Sequence, residues 1–166
     1  VLGKVKGNKI LISVGGTPRK LDIYGKEFAW YSDDIFNLHK FPNSILIVGG
    51  GYIACEFACI FNNLGTKVTQ VVRSKNLLNG FDSDLSKSLC ENMINSGINI
   101  LFEDQLDHVI KKNDSLIFHL KSGDTFNHSN LLIAAGRVPN FQNLNLHNIG
   151  LKMNNGFIAV NDLNKT

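Results

Sequence analysis

The stretch Ile45–Phe61, ILIVGGGYIACEFACIF, decides how this chain is read. Its glycines can form a loop that cradles a phosphate, and its CEFAC segment can be a cysteine pair with redox or metal chemistry. SILIVGGG (44–51) is an apolar run ending in glycines, the pattern of a buried strand. YIACEFACIFNNLG (52–65) places Ile53, Phe57, Ile60, Phe61 and Leu64 at helical spacing, with Gly65 as terminator. KVTQVV (67–72) reads as the next strand. Gly49, Gly51 and Ala54 therefore fit G-x-G-x-x-A between a strand and a helix. The first glycine permits a tight turn, the second lets the backbone approach a pyrophosphate, and the small third residue lets helix and strand pack closely. The helix N-terminus adds free amides and the positive end of its dipole.

The end of the second strand selects the nucleotide. NAD binders carry an acid there for the ribose hydroxyls. Val72 stands at that position, followed by Arg73, Ser74 and Lys75. A carboxylate would repel a 2′-phosphate, whereas a guanidinium grips it bidentately. Arg73 could be an ordinary surface charge, but the missing acid favours NADP(H).

Cys55 and Cys59 are four residues apart and share one helix face. A disulfide across one helical turn is geometrically awkward. Redox pairs sit at helix starts, where the dipole lowers a thiol pKa. A metal would need further ligands, and the five histidines are scattered. Cys55, Cys59 and the mid-helix Cys90 are expected to pack as small hydrophobes, Cys55 and Cys59 with raised pKa, and no metal site is expected.

The remaining chain extends the alternation. FDSDLSKSLCENMINSG (81–97) reads as a helix capped by Asp82 or Ser83 and stopped by Gly97, and INILFE (98–103) as a strand. LDHVIKK, SLIFHL and DTFNH alternate and are joined by turn residues, an antiparallel meander; LLIAAG (131–136) returns as a buried strand. KILISVGG (9–16) reads as a further buried strand, a short helical turn is expected near Ser32–Asp34, and Asn154-Asn155-Gly156 marks a hairpin. The expected fold is α/β, a Rossmann-like parallel sheet with helices on both faces and an antiparallel meander.

Bulk properties agree. The 166 residues suffice for one domain with a real core, and the charged fraction of 19% suits buried strands. The net charge of +3 is dispersed, so nucleic-acid binding is not indicated. No segment has the length of a membrane span and no signal peptide opens the chain, so neither membrane nor secretion is indicated. Three cysteines without zinc-finger spacing suit a reducing, cytoplasmic setting, an organelle included.

GGGYIACEFACIFNNLG, VVRSKNLLNGFD and AAGRVPN together resemble the NADPH-binding region of the flavin-dependent pyridine nucleotide-disulfide reductases, in particular the glutathione-type branch. ILISVGGTP and FIAVNDLNKT resemble the flanking segments of that family, so the likeness covers essentially the whole chain. It implies residues 1–18 as an edge of an FAD-binding domain, 19–136 as the NADPH-binding domain, and 137–166 as the return to the FAD-binding domain. Gly49, Gly50 and Gly51 would cradle the nucleotide. Tyr52 resembles the tyrosine that covers the nicotinamide pocket, Ile53 its neighbour against the nucleotide, and Glu56 the glutamate beside the nicotinamide; Tyr52 and Glu56 are the candidate catalytic residues. Arg73 resembles the first 2′-phosphate arginine. The second corresponds to Asn79, which can donate a hydrogen bond but carries no charge, with Lys75 nearby. Gly136 resembles a glycine lining the nucleotide site, and Arg137 begins the return segment.

The resemblance implies a parent enzyme that passes hydride from NADPH to FAD and on to a disulfide, with glutathione disulfide foremost and a homodimer as its assembly. The family's flavin glycine motif, its C-x-x-x-x-C and its C-terminal dimer domain are not found in these residues. The chain, which begins with Val1, is therefore expected to be part of a longer protein, and alone to neither hold FAD nor reduce disulfides. Trypanothione- or dihydrolipoamide-type reductases are alternatives within the family; Arg73 argues against the NAD-using lipoamide branch. A stand-alone nucleotide-binding module without catalysis is the alternative from another class.

Overall fold

The computed structural model describes residues 3–166. Val1 and Leu2, the start of the expected flavin-domain edge, lie outside the described residues. Along the chain the elements are β1 (Gly16–Pro18), β2 (Ala29–Trp30), α1 (Ser32–Ile35), β3 (Ser44–Val48), α2 (Tyr52–Asn63), β4 (Lys67–Val72), α3 (Ser83–Asn95), β5 (Asn99–Phe102), β6 (Leu106–Lys112), β7 (Ser115–Leu120), β8 (Thr125–His128), β9 (Asn130–Ile133), β10 (Arg137–Pro139), β11 (Met153–Asn154) and β12 (Phe157–Ile158). Two compact units result: Pro18–Gly136, and the stretch up to Thr17 joined with Arg137–Thr166.

The Pro18–Gly136 unit contains a parallel sheet ordered β2-β9-β3-β4-β5. Strand alternation sorts its side chains onto two faces. Ile45, Ile47, Val68, Val72 and Leu132 pack on one face with Ala54, Phe57, Ala58 and Phe61 of α2 and Met93 of α3. Leu46, Val48, Val71, Leu131 and Ile133 pack on the other with Val109, Leu116, Phe118 and Leu120 of the meander β6-β7-β8. Fully buried Phe61 and Phe118 anchor these layers, each side chain contributing on the order of 2–3 kcal/mol through burial.

The α/β class, the parallel sheet and the meander are as the sequence predicts. The placement of helices on both faces is not: α2 and α3 share one face, and the meander covers the other. The reason is the handedness of crossovers. The chain moves from β3 to β4 to β5 in a single direction across the sheet, so both right-handed crossovers put their helices on the same side. It returns to β9 in the opposite direction, over the other face.

Local signals account for the element ends. Asp82 caps α3, its Oδ1 accepting from the backbone N–H of Asp84 at 2.9 Å and of Leu85 at 3.2 Å. Gly65 and Gly97 leave α2 and α3 with φ of 85° and 100°. The helical turn forms at Ser32–Ile35, with Asp34 accepting from the Tyr31 N–H at 2.8 Å. Ser129 clasps the sheet's N-terminal edge: its Oγ donates to the Ser44 carbonyl at 2.6 Å, and its N–H to Ser44 Oγ at 3.0 Å.

In the other unit, β1 pairs with β10 and β11 pairs antiparallel with β12 around Asn155-Gly156, both at positive φ. The strand expected over 9–16 does not form. Residues 9–15 carry no strand, and Ile10 and Leu11 are 82% and 87% exposed. Among the described residues no strand lies alongside them, and an apolar run without a ladder partner has nothing to bond its backbone to. Ile60 on α2 and Leu64 at its C-cap are exposed rather than packed, because Ala54, Cys55 and Ala58 share the buried face with Phe57 and Phe61.

His128 closes β8 in the core beside Phe118, and its Nδ1 has no partner among the described residues. Burial, with a smaller effect of the Lys67 charge, lowers its pKa from 6.5 to about 4. The unfolded chain binds this proton near pH 6.5 and the folded chain only near pH 4. Stability is therefore full above pH 6.5 and falls between pH 6.5 and 4, by roughly 3 kcal/mol for 2.5 pH units at 1.36 kcal/mol each. We expect His128→Leu to flatten this part of the stability curve, measured by urea unfolding from pH 7.5 to 4.5. An unchanged slope would assign the acid sensitivity elsewhere.

Candidate functional site

The glycine loop lies at the carboxyl ends of the strands, where β3 has β4 on one side and β9 on the other. The chain leaves β3 over the helical face and reaches β9 over the meander face. The loop is therefore at a topological switch point, where α/β sheets open a crevice. Gly49 has φ 139°, its N–H donates to the Val71 carbonyl at 2.9 Å, and a Cβ there would collide with the Ala134 carbonyl. A Cβ on Gly50 would lie 2.6 Å from Val72 Cγ1. Packing alone thus explains these two glycines.

Gly51 is different. It is exposed, its φ of −83° suits any residue, and nothing of the protein lies within 4 Å of where its Cβ would stand. It is the N-cap of α2, makes no side-chain cap, and has no acidic residue in the turn that follows. An open space in front of uncapped helix amides fits a diphosphate carried against the backbone.

The first turn of α2 sets Tyr52 and Glu56 four residues apart on one exposed face, with Ile53 half-buried beside them. That face borders a groove of about 440 Å³ lined also by Cys55, Cys59, Leu78 and Leu89. Leu78, at φ 50°, donates its N–H to the Gly50 carbonyl at 2.7 Å. The loop 73–82 is thereby tied to the glycine loop, and it carries Arg73, Lys75 and Asn79, all exposed. Ser74 Oγ donates to the Asn76 carbonyl at 2.7 Å and shapes the start of this loop. Lys75 Nζ lies 3.9 Å from Glu103 Oε1. On the β9 side Gly136, at φ 106°, accepts from the Arg19 N–H at 2.9 Å. Arg137 belongs to the other unit, where its guanidinium donates to the Gly16 carbonyl between β10 and β1.

Two contributors escape the motif. Gln70, in the middle of β4 and fully buried, donates from Nε2 to the Gly49 carbonyl at 2.9 Å and holds the loop from beneath. A lone amide inside the apolar run KVTQVV was its signal in the sequence. Leu78 carries no signal at all, because its role is made by its backbone.

The cysteines lie beside this apparatus as neutral thiols. Burial pushes Cys55, Cys59 and Cys90 above the ordinary thiol range, with Gln70 partly offsetting it at Cys55. Cys55 is buried as expected, whereas Cys59 and Cys90 are only partly so. Among the described residues no group of three His, Cys, Asp or Glu is placed to hold a metal ion, and no helix is long and apolar enough to cross a membrane.

The family profile of pyridine nucleotide-disulphide oxidoreductases matches residues 2–166. The chain belongs to that family. Among the pyridine nucleotide-disulphide oxidoreductases it is 39% identical over 150 residues to glutathione reductase of Nostoc sp., covering 89% of this chain and 33% of the relative. It is 41% identical over 167 residues to the chloroplastic/mitochondrial glutathione reductase of Pisum sativum, covering 99% and 30%. A soluble pyridine nucleotide transhydrogenase of Colwellia psychrerythraea is 35% identical over 166 residues, covering 98% and 36%. The HOCl-induced flavoprotein disulfide reductase RclA of Escherichia coli superimposes with a TM-score of 0.86 at 27% identity over 95% of this chain and 37% of that one. The chain spans about a third of the length of the curated relatives it matches.

The three glycines respond differently to a methyl group. Gly50→Ala should destabilise the chain by about 1–3 kcal/mol through overpacking against Val72. Gly51→Ala should stay within about 0.5 kcal/mol of the parent. Thermal unfolding of both variants checks the contrast, and equal losses would mean that Gly51 too is needed for the fold.

Proposed function

We propose that this chain is the nucleotide-binding portion of an NADPH-dependent flavoprotein disulfide reductase, and that the whole protein reduces glutathione disulfide. The observation that carries the reading is the open cradle at Gly51 together with Arg73 at the exit of β4, where Val72 replaces the acid of an NAD site. NADPH supplies a hydride for a flavin held with the rest of the protein. In this reading Gly49, Gly50 and Gly51 with the first amides of α2 bind the pyrophosphate, and Ile53 and Gly136 flank the nucleotide. Arg73 takes the 2′-phosphate, assisted by Lys75 and by a hydrogen bond from Asn79. Tyr52 covers the nicotinamide pocket and keeps water out until the cofactor displaces it. Glu56, one turn along the same face, orients the nicotinamide end. Arg137 begins the return segment, residues 137–166, which with residues 1–18 belongs to a flavin-binding domain, residues 19–136 being the nucleotide domain. The neutral thiols of Cys55 and Cys59 have no part in electron transfer.

A second reading has its own support, the 35% identity to a soluble pyridine nucleotide transhydrogenase. The whole protein would then pass hydride from one nicotinamide nucleotide to another. Both follow from the same nucleotide site and differ in the acceptor. Assaying the whole protein for NADPH oxidation by oxidised glutathione and by NAD⁺ separates them: turnover with glutathione disulfide supports the first, and turnover with NAD⁺ alone supports the second.

The nucleotide reading itself is tested on this chain. Arg73→Ala should weaken NADPH by about 1–3 kcal/mol, the value of a lost charge-assisted contact, and leave NADH nearly unchanged. Gly51→Val should weaken both. Calorimetric titration of each cofactor measures this, and equal losses of NADPH and NADH in Arg73→Ala would remove the arginine from the phosphate site.

A further inference from the structure

The exits of β4 and β5 are stitched to each other. The Glu103 N–H donates to the Ser74 carbonyl and the Asp104 N–H to the Val72 carbonyl, each at 3.3 Å. Val72 and Phe102 are the last register partners of the two strands, so Arg73 and Glu103 each directly follow the paired residues at the same edge of the sheet. Glu103 takes φ 57°, a conformation that is uncommon and costly for a residue with a Cβ other than Asn or Asp. Two carboxylates thus enter the edge where a 2′-phosphate is expected. Asp104 is occupied: its Oδ1 accepts from the Gln105 N–H at 2.7 Å and the Ser122 N–H at 3.2 Å. Glu103 instead faces Lys75, at 3.9 Å.

We propose that Glu103 is a nucleotide-specificity residue, a counter-carboxylate that occupies Lys75 and repels a 2′-phosphate held by Arg73. This rests on the reading of Arg73 as the phosphate ligand. Both partners of the ion pair are well exposed, so the pair itself is weak and easily broken. Its charge nevertheless acts through space on any phosphate dianion bound within the Debye length, about 8 Å at physiological ionic strength. A nucleotide without the 2′-phosphate brings no charge to this edge and is indifferent to Glu103. With the uncharged Asn79 across the same loop, the chain meets a 2′-phosphate with fewer net positive charges than its basic residues suggest. Glu103 therefore sets the degree of preference between the two cofactors rather than the overall affinity.

Glu103→Gln keeps the side-chain length and removes the charge. Titrating the chain with adenosine 2′,5′-bisphosphate and with AMP should show the bisphosphate tightening by roughly three- to tenfold and AMP staying within about twofold, as for an exposed charge contact. The gain should shrink in high salt. Unchanged bisphosphate affinity, or an equal gain for both ligands, would overturn the proposal. So would a loss of AMP affinity, which would make the carboxylate an acceptor for ribose hydroxyls. Arg73→Ala distinguishes the underlying reading: if the parent binds both ligands equally and Arg73→Ala changes neither, there is no phosphate site at this edge and both readings fall. If Arg73→Ala weakens the bisphosphate while Glu103→Gln changes nothing, only the proposal for Glu103 falls.

Discussion

The Pro18–Gly136 unit depends on the close approach of its glycine loop to neighbouring strand ends. At Gly49 and Gly50 the chain passes so near the Ala134 carbonyl and the Val72 side chain that a Cβ would have to displace them. That approach brings the ends of β3, β4 and β9 together, and from it the start of α2 receives its position. Gln70 fixes the Gly49 carbonyl from inside the sheet, and the Leu78 N–H fixes the Gly50 carbonyl from the following loop. Every candidate ligand in this unit is carried by an element that leaves this junction. Gly51 and Tyr52 start α2, Arg73 and Lys75 follow β4, and Gly136 follows β9.

The same junction separates two roles that a glycine motif merges. Gly49 and Gly50 are explained by the protein's own packing, which would be needed whether or not anything bound. Gly51 is not, since the protein leaves the space beside it open. An open position in an otherwise tight loop is the feature that argues for a ligand.

Much of this was legible in the sequence because it is local. The strand–glycine–helix spacing, the Asp82 cap, the terminating Gly65 and Gly97, the alternating meander and the Asn155-Gly156 turn each depend on a few neighbouring residues. The side of the sheet that carries the helices was not legible, because it follows from strand order, which is set by pairing between distant segments. The apolar run at 9–15 gave a false signal for the same reason: a strand is defined by its partner, not by its own composition. The exposed Ile60 and Leu64 mark the limit of helical periodicity when Ala54, Cys55 and Ala58 share the buried face. Within the site, the proposed role of Arg73 rests on residue type and place. The tie from Leu78 and the approach of Glu103 to Lys75 arise from backbone geometry that no residue type announces.

Strand order also bears on how the unit is assembled. β9 lies between β2 and β3, yet it is the last strand of the unit to be synthesised, after the whole meander. The Ser44–Ser129 clasp that seats it closes a separation of 85 residues. Until β9 arrives, β2 has no neighbour in the sheet, and Gly49 has no Ala134 to pack against. Non-local parallel pairing of this kind is intrinsically slow. A chain emerging from its N-terminus thus carries the glycine motif long before it has a completed loop, and the cradle takes its final form only when the unit closes.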